Sequence, residues 1–298
     1  MNTVNAPGAV VVGVDGSQAA LYAVRWAAVE ARSARCPVSL VHTLEWPVVS
    51  FPVAGLQVDW TQKIHEQGHR WLREAREAAE LAAPGVQTQV YLFTGDPRER
   101  LLAEAQQARE LVVGSRGLGG LSGMSLGSTS ATVTQHASCP VVVVHGEGNA
   151  AGPVVVGLDA SPASEQALAY AFKAASRAGA VLLAVHAWDD LGALHSPIAL
   201  ADEGAVQEIE AAAQRMLAGQ LADWPEKYPR VAVMRKVIHQ RPAAALIELG
   251  QQARMIVIGS RGRGGFARLL LGSVSHAVVR HATCPVAVCH RHPEDSRP

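Results

Sequence analysis

At 298 residues the chain is long enough for two domains of ordinary size. Hydrophobic residues make up 49% and charged residues 17%, which excludes extended disorder and leaves material for two buried cores. Lys plus Arg and Asp plus Glu are both 26, so no net field recruits nucleic acid or an anionic membrane surface, and neither is expected as a partner. The opening stretch MNTVNAPGAVVVGVDGS carries no basic flank, and Gly13 and Asp15 interrupt its apolar run. It reads as neither signal peptide nor membrane span. Cys36, Cys139, Cys284 and Cys289 are too few for a disulfide framework in a chain this long, so a cytoplasmic address is expected.

In chain order, apolar runs at 10–14, 38–41, 86–93, 111–113 and 141–144 predict strands. None alternates, which predicts strands covered on both faces and hence a parallel sheet. Alanine-rich amphipathic stretches at 18–34, about 59–83, 97–109 and 128–137 predict helices between them. Ser17 and Ser161 are placed as N-caps, and Pro162 takes the favoured first helical position. Strand–helix alternation predicts a doubly wound α/β sheet, whose ligands bind beyond the carboxyl ends of the strands where strand order reverses. Asp15 ends the first predicted strand and Gly114 the fourth, so both open onto that crevice.

The whole pattern occurs twice. VVVGVDGS at 10–17 returns as VVVGLDAS at 154–161, and His42 returns as His186, both 144 positions on. Gln106-Gln107-Ala108-Arg109 returns as Gln251-Gln252-Ala253-Arg254, and Cys139-Pro140-Val141 as Cys284-Pro285-Val286, both 145 on. One net inserted residue separates the two registers, between the second strand and the QQAR helix. Duplication gives domains at 1–147 and 148–298, with the Gly/Ala/Pro stretch His145–Pro153 as a short linker.

GSRGLGGLSGMSLGS at 114–128 and GSRGRGGFARLLLGS at 259–273 each follow an apolar run and open a helix. Gly114, Gly117, Gly119 and Gly120 can take positive φ and leave no Cβ between backbone and ligand. Ser128 and Ser273 then stand at helix N-termini, where free N–H groups and the helix dipole favour an anion. The plainer reading is a glycine-rich turn with a serine N-cap; two copies, each opposite an Asp-bearing first strand, favour phosphate. Asp15 and Asp159 can accept from a ribose hydroxyl or an adenine amino group, or simply cap the helix that follows.

The order VVVGVDGS, LVH, Gly-x2-Gly-x9-Gly-Ser, CPVVVV is similar to the universal stress protein family in its tandem-domain form, over nearly the whole chain. The glycine element marks the ATP-binding members. The resemblance implies two flavodoxin-like α/β domains, each with a five-stranded parallel sheet and ATP in the crevice. Carried over by position, Gly13 and Asp15 lie against the adenosine and Thr43 meets adenine through its backbone. Gly114, Arg116, Gly117, Gly127, Ser128 and Ser130 hold the phosphates. The second half matches at Gly157, Asp159, Ala187, Gly259, Arg261, Gly262, Gly272, Ser273 and Ser275. Ser115, Gly119, Gly120 and their counterparts Ser260, Gly264 and Gly265 complete the candidate set. Two nucleotides per chain are expected, with Mg2+ an optional companion that Asp15 or Asp159 can share with the phosphates. Arg261, Arg263 and Arg268 outnumber Arg116 in the first loop, so the second site is expected to bind phosphate more strongly and more salt-sensitively.

His65-Glu66-Gln67-Gly68-His69 matches the H-E-x-x-H pattern of zinc hydrolases. Its flanks are those of a solvated helix, no third ligand is evident, and the second half has no histidine there, so no metal is assigned. His42 and His186 read as crevice-edge histidines, Cys139 and Cys284 as buried thiols, and Trp46, Trp60, Trp188 and Trp224 as packing or lid residues. Segments 46–60 and 188–200 are candidates to cover the nucleotide. There is no G-x-x-x-x-G-K-[ST] loop and no lysine beside the glycines, so a stress-response regulator read by an unknown protein partner is favoured over a slow ATPase or phosphotransferase. The apolar last strands, Val141–Val144 and Val286–Val288, are expected at sheet edges, pairing the two halves or two chains as a homodimer.

Overall fold

The computed structural model describes residues 7–45, 60–118, 126–146, 148–189, 203–262 and 271–290. The chain divides into two compact units, Met1–Val144 and His145–Pro298. Among the described residues no helix is long and apolar enough to cross a membrane.

In the first unit the strands are β1 (Val10–Gly13), β2 (Val38–Leu44), β3 (Thr88–Thr94), β4 (Glu110–Gly114) and β5 (Val141–Val144). They alternate with α1 (Gln18–Ala34), α2 (Trp60–Ala82), α3 (Pro97–Ala105) and α4 (Ser128–His136). Every pairing is parallel, in the order β3-β2-β1-β4-β5. This is the doubly wound α/β architecture expected from the sequence. Its strand order is the one seen in nucleotide-binding halves, so the reversal falls between β1 and β4.

The second unit repeats it. Strands β6 (Val154–Gly157), β7 (Leu182–Trp188), β8 (Val233–His239), β9 (Met255–Gly259) and β10 (Val286–Cys289) alternate with α5 (Pro162–Ala178), α6 (Glu203–Leu221), the short α7 (Trp224–Lys227), α8 (Pro242–Gly250) and α9 (Ser273–His281). The order is β8-β7-β6-β9-β10, again all parallel.

The valine-rich central strands form because β-branched side chains suit a pleated surface buried on both faces. Val10, Val11, Val12, Val141, Val142 and Val143 have no exposed surface. Small residues let α1 lie close on this sheet: Ala23, Ala27, Ala28 and Ala31 are wholly buried. Both expected caps are present. The Ser17 hydroxyl accepts from the Ala20 N–H at 3.1 Å and that of Ser161 from the Ser164 N–H at 3.2 Å.

One expectation fails. The run at 86–93 is not covered on both faces, because β3 has no fully buried residue and β8 none either. Each is the outermost strand of its sheet on the β2 or β7 side, with a neighbour on one edge only. Its residues (Gln89 and Tyr91, Arg235 and Lys236) carry the polarity of that position. The predicted helix at 97–109 also stops at Ala105.

Candidate functional site

At the reversal point of the first unit the carboxyl ends of β1, β2 and β4 surround a cavity of about 990 Å³. Of the sequence-predicted residues, Gly13, Asp15, Thr43, Gly114, Arg116, Gly117, Gly127, Ser128 and Ser130 line it together. Gly119, Gly120, Gly264 and Gly265 lie outside the described residues, as do Arg263, Arg268, Trp46 and all of the cover segments 46–60 and 188–200 except residues 60, 188 and 189.

Asp15 does two jobs. Its Oδ1 accepts from the Ser17 N–H at 3.0 Å, the cap-type contact, and its Oδ2 accepts from the Leu118 N–H at 3.2 Å. The Ser17 hydroxyl in turn donates to the Arg116 carbonyl at 3.3 Å. The start of the glycine loop is therefore laced to the start of α1. The second unit repeats the lacing: Asp159 Oδ1 accepts from the Ser161 N–H at 3.0 Å, and the Ser161 hydroxyl donates to the Arg261 carbonyl at 3.2 Å.

The glycines divide by what a side chain would meet. Gly114 and Gly117 do not take the positive φ expected of them. Gly114 is required for close approach to main chain, and Gly117 leaves room for the Asp15 carboxylate. A Cβ on Gly114 would lie 2.7 Å from the Ala19 carbonyl carbon, and one on Gly117 would lie 2.4 Å from Asp15 Oδ2. Gly259 against Ala163 and Gly262 against Asp159 Oδ2 repeat these distances, 2.7 and 2.4 Å. Gly13 and Gly157 face leucines, Leu101 at 3.1 Å and Leu246 at 3.0 Å. Gly127 is different. It is extended, at φ −61° and ψ 148°, and its Cβ would meet nothing nearer than 3.6 Å. Gly272, at φ −68° and ψ 156°, has nothing nearer than 3.5 Å. Neither backbone conformation nor packing requires glycine at these two places.

Gly127 and Gly272, not Ser128 and Ser273, are the N-caps of α4 and α9, and no side chain caps either helix. The first bond of α4 runs from the Ala131 N–H to the Gly127 carbonyl at 2.8 Å. The N–H groups of Ser128, Thr129 and Ser130 precede it, and these residues line the cavity. Ser128 and Ser273 are exposed at the first helical position. The Ser130 hydroxyl is buried and donates to the Gly114 carbonyl at 2.7 Å, and that of Ser275 donates to Gly259 at 2.7 Å. Both fasten the helix start to the strand end. Ser115 and Ser260 are buried, and their carbonyls accept from the Gly127 and Gly272 N–H groups at 2.9 and 2.8 Å. The guanidinium-bearing Arg116 and Arg261 are exposed.

At the opposite end Thr43 is buried, and its counterpart Ala187 is half-buried. His42, 7% exposed, donates from Nδ1 to the Val14 carbonyl at 2.7 Å, and His186 makes the same bond to Leu158 at 2.7 Å. Burial pulls the His42 pKa below the ordinary 6.5, against the Val14 bond and the Asp15 charge, which favour the cation. Burial likewise pushes the Cys139 and Cys284 thiols up to about 12 and about 11, so both are unreactive packing groups. On α2, Glu66 and His69 are exposed, and Glu66 accepts from the Gln62 amide at 2.8 Å. Among the described residues no group of three His, Cys, Asp or Glu side chains is placed to hold a metal. Trp224 stacks on Phe172 at 4.8 Å, a packing contact.

Sequence reasoning overlooked Trp71, whose indole lines the cavity. The available signal was helical spacing: Ile64, Gln67 and Trp71 fall on one face of α2 and all reach the crevice.

Residues 8–145 and 151–290 each match the sequence model of the universal stress protein family. A universal stress protein of Mycolicibacterium smegmatis is 40% identical over 286 residues, spanning 94% of this chain and 96% of its own length. One from Mycobacterium tuberculosis is 37% identical over 303 residues, spanning 97% and 98%. Among solved structures, a universal stress protein from Archaeoglobus fulgidus superposes with a TM-score of 0.66 at 21% identity, covering 96% of this chain and 97% of that one, a likeness of fold alone.

Proposed function

The chain belongs to the universal stress protein family, and from that premise we propose that each half binds ATP, with occupancy regulating contacts to a protein partner. One observation carries the reading. At both helix starts a glycine that the protein itself does not need stands beside uncapped first-turn N–H groups. A phosphate oxygen close to the main chain accounts for both features, since it needs the missing Cβ and accepts from the free donors. The cavity of the first unit is also large enough for a nucleotide and joins this end to one lined by Val14, Val41, Thr43 and Leu44 at the tips of β1 and β2.

The roles follow from placement. The N–H groups of Ser128, Thr129 and Ser130 and the Arg116 side chain hold the phosphates, while Gly13, Val14 and Thr43 face the nucleoside. Asp15 holds the loop, and a ribose hydroxyl competes with the Leu118 N–H for its Oδ2. Both Asp15 oxygens already accept main-chain donors, so the phosphates themselves hold most of any accompanying Mg2+. The described residues lining the cavity include no lysine, which favours a binding switch over phosphoryl transfer.

The domains run 1–147 and 148–298 in this reading, and the last strands pair either the two halves of one chain or two chains as a homodimer, a choice that light scattering against concentration resolves. The primary test is mass spectrometry of small molecules released when freshly purified protein is denatured, joined to equilibrium dialysis against ATP. ATP or ADP in the released fraction, or ATP retained by dialysis, is expected. No released nucleotide together with no retained ATP overturns the proposal.

A further inference from the structure

The base end of the first site has an aromatic wall that the second site does not reproduce. Trp71 reaches the cavity from α2 and is half-buried, leaving part of its ring facing the space. Two contacts fix it. Its indole lies so close to Gly16 that a Cβ there would fall 2.3 Å from the ring, and it makes a T-shaped contact with the His42 ring, centroids 5.1 Å apart at 87°. His42 is itself pinned by its bond to the Val14 carbonyl. Gly68, one turn earlier, makes room for this arrangement, since a Cβ there would lie 2.9 Å from His42.

The second unit departs at each of these points. The register of β3 with β2 and of β8 with β7 sets Thr88 against Val233, an offset of 145. The same offset aligns the buried Leu72 with Leu217 and Gly68 with Ala213. Trp71 then corresponds to Met216, and Gly16 to Ala160, whose methyl occupies the place the indole takes over Gly16. The second unit instead carries Trp188 at the end of β7, where the first has Leu44, and stacks it on His239 at 4.0 Å. The aromatic group has moved from helix to strand end.

We propose that Trp71 is the base-contacting, specificity-determining residue of the first site, so that the two sites of one chain recognise the purine differently. The proposal rests on the nucleotide reading above. Phosphates held at the start of α4 place the base at the far end of the cavity, against the indole. Contact between a base and an aromatic side chain is worth roughly a factor of ten or more in affinity.

The test uses the full chain with Gly262→Val to silence the second site, titrated with ATP and with inorganic tripolyphosphate, which has no base. Trp71→Met, copying the second unit, is expected to weaken ATP about tenfold and leave tripolyphosphate unchanged. Trp71→Phe is expected to recover most of the ATP affinity, and indole fluorescence lost in Trp71→Met is expected to account for the change seen when ATP binds. Unchanged ATP affinity in Trp71→Met overturns the proposal and leaves the nucleotide reading intact. Equal loss of ATP and tripolyphosphate also overturns it, showing that Trp71 supports the site as a whole. Failure of ATP to bind the parent chain defeats both.

Discussion

Gly16, at φ 81°, and Gly179, at φ 62°, take left-handed backbone that glycine tolerates freely. Each unit breaks the rule once where its copy obeys it: Ala160 stands at φ 57° opposite Gly16, and Arg35 at φ 53° opposite Gly179. A side chain in this region costs roughly 1–2 kcal/mol, offset in part by the looser unfolded chain of glycine. Ala160→Gly and Arg35→Gly are each expected to stabilise the protein by about 0.5–1 kcal/mol, read as a rise in denaturant midpoint with unchanged slope. A fall in midpoint would show that these side chains contribute contacts outweighing the strain. His42 carries a pH dependence of known sign. Its folded pKa is depressed below 6.5, so the unfolded chain binds the proton more readily, and stability present above pH 6.5 is lost as pH falls toward the folded value. Melting temperatures between pH 7.5 and 5 are expected to drop less steeply in His42→Gln than in the parent; parallel curves would contradict this.

At the scale of elements, the loop and its two helices separate glycines that hold the protein together from glycines that leave room for something else. Gly114→Ala drives a methyl into the α1 backbone at Ala19 and is expected to cost about 1–3 kcal/mol, as overpacking does. Gly127→Ser meets no obstacle and supplies the missing cap to α4, so stability is expected to hold or rise by a few tenths of a kcal/mol while ATP affinity falls at least tenfold. Thermal melts and dialysis on the two variants check this; equal destabilisation, or undiminished ATP binding by Gly127→Ser, refutes it. The sequence could not make this division. Gly114, Gly117 and Gly127 look alike in a motif, and only the neighbours across α1 tell them apart. The parallel sheet and the crevice position were legible, because uninterrupted runs such as VVVGV and ELVVG announce parallel strands and Asp15 follows the first. The half-open faces of β3 and β8 were missed although Gln87, Thr88 and Gln89 already interrupt VQTQVYLF, because only the outermost place of the strand turns that polarity into an open face. Trp71 escaped notice because a tryptophan on a charged helix stands out only when its face is matched to Gly16 and His42.

For the molecule as a whole, the duplication is faithful where main chain is involved and loose in the side chains behind it. Asp15 and Asp159, the paired serine caps and the two uncapped helix starts agree to about 0.1 Å in their hydrogen bonds. The cores have drifted: buried Glu30, Glu104 and Glu110 correspond to Ala174, Leu249 and Met255. Arg100 pairs with Glu104 and lies over the Phe93 ring, a cluster whose counterparts in the second unit are the apolar Ala245, Leu249 and Ile238. Two equivalent backbone cradles inside diverging shells lead to one count above all others. Isothermal titration of nucleotide-free protein with ATP is expected to give a stoichiometry near two per chain, falling to one in Gly127→Ser and to none when Gly272→Ser is added. A stoichiometry near zero in the parent chain, or binding that survives both substitutions, would contradict the account.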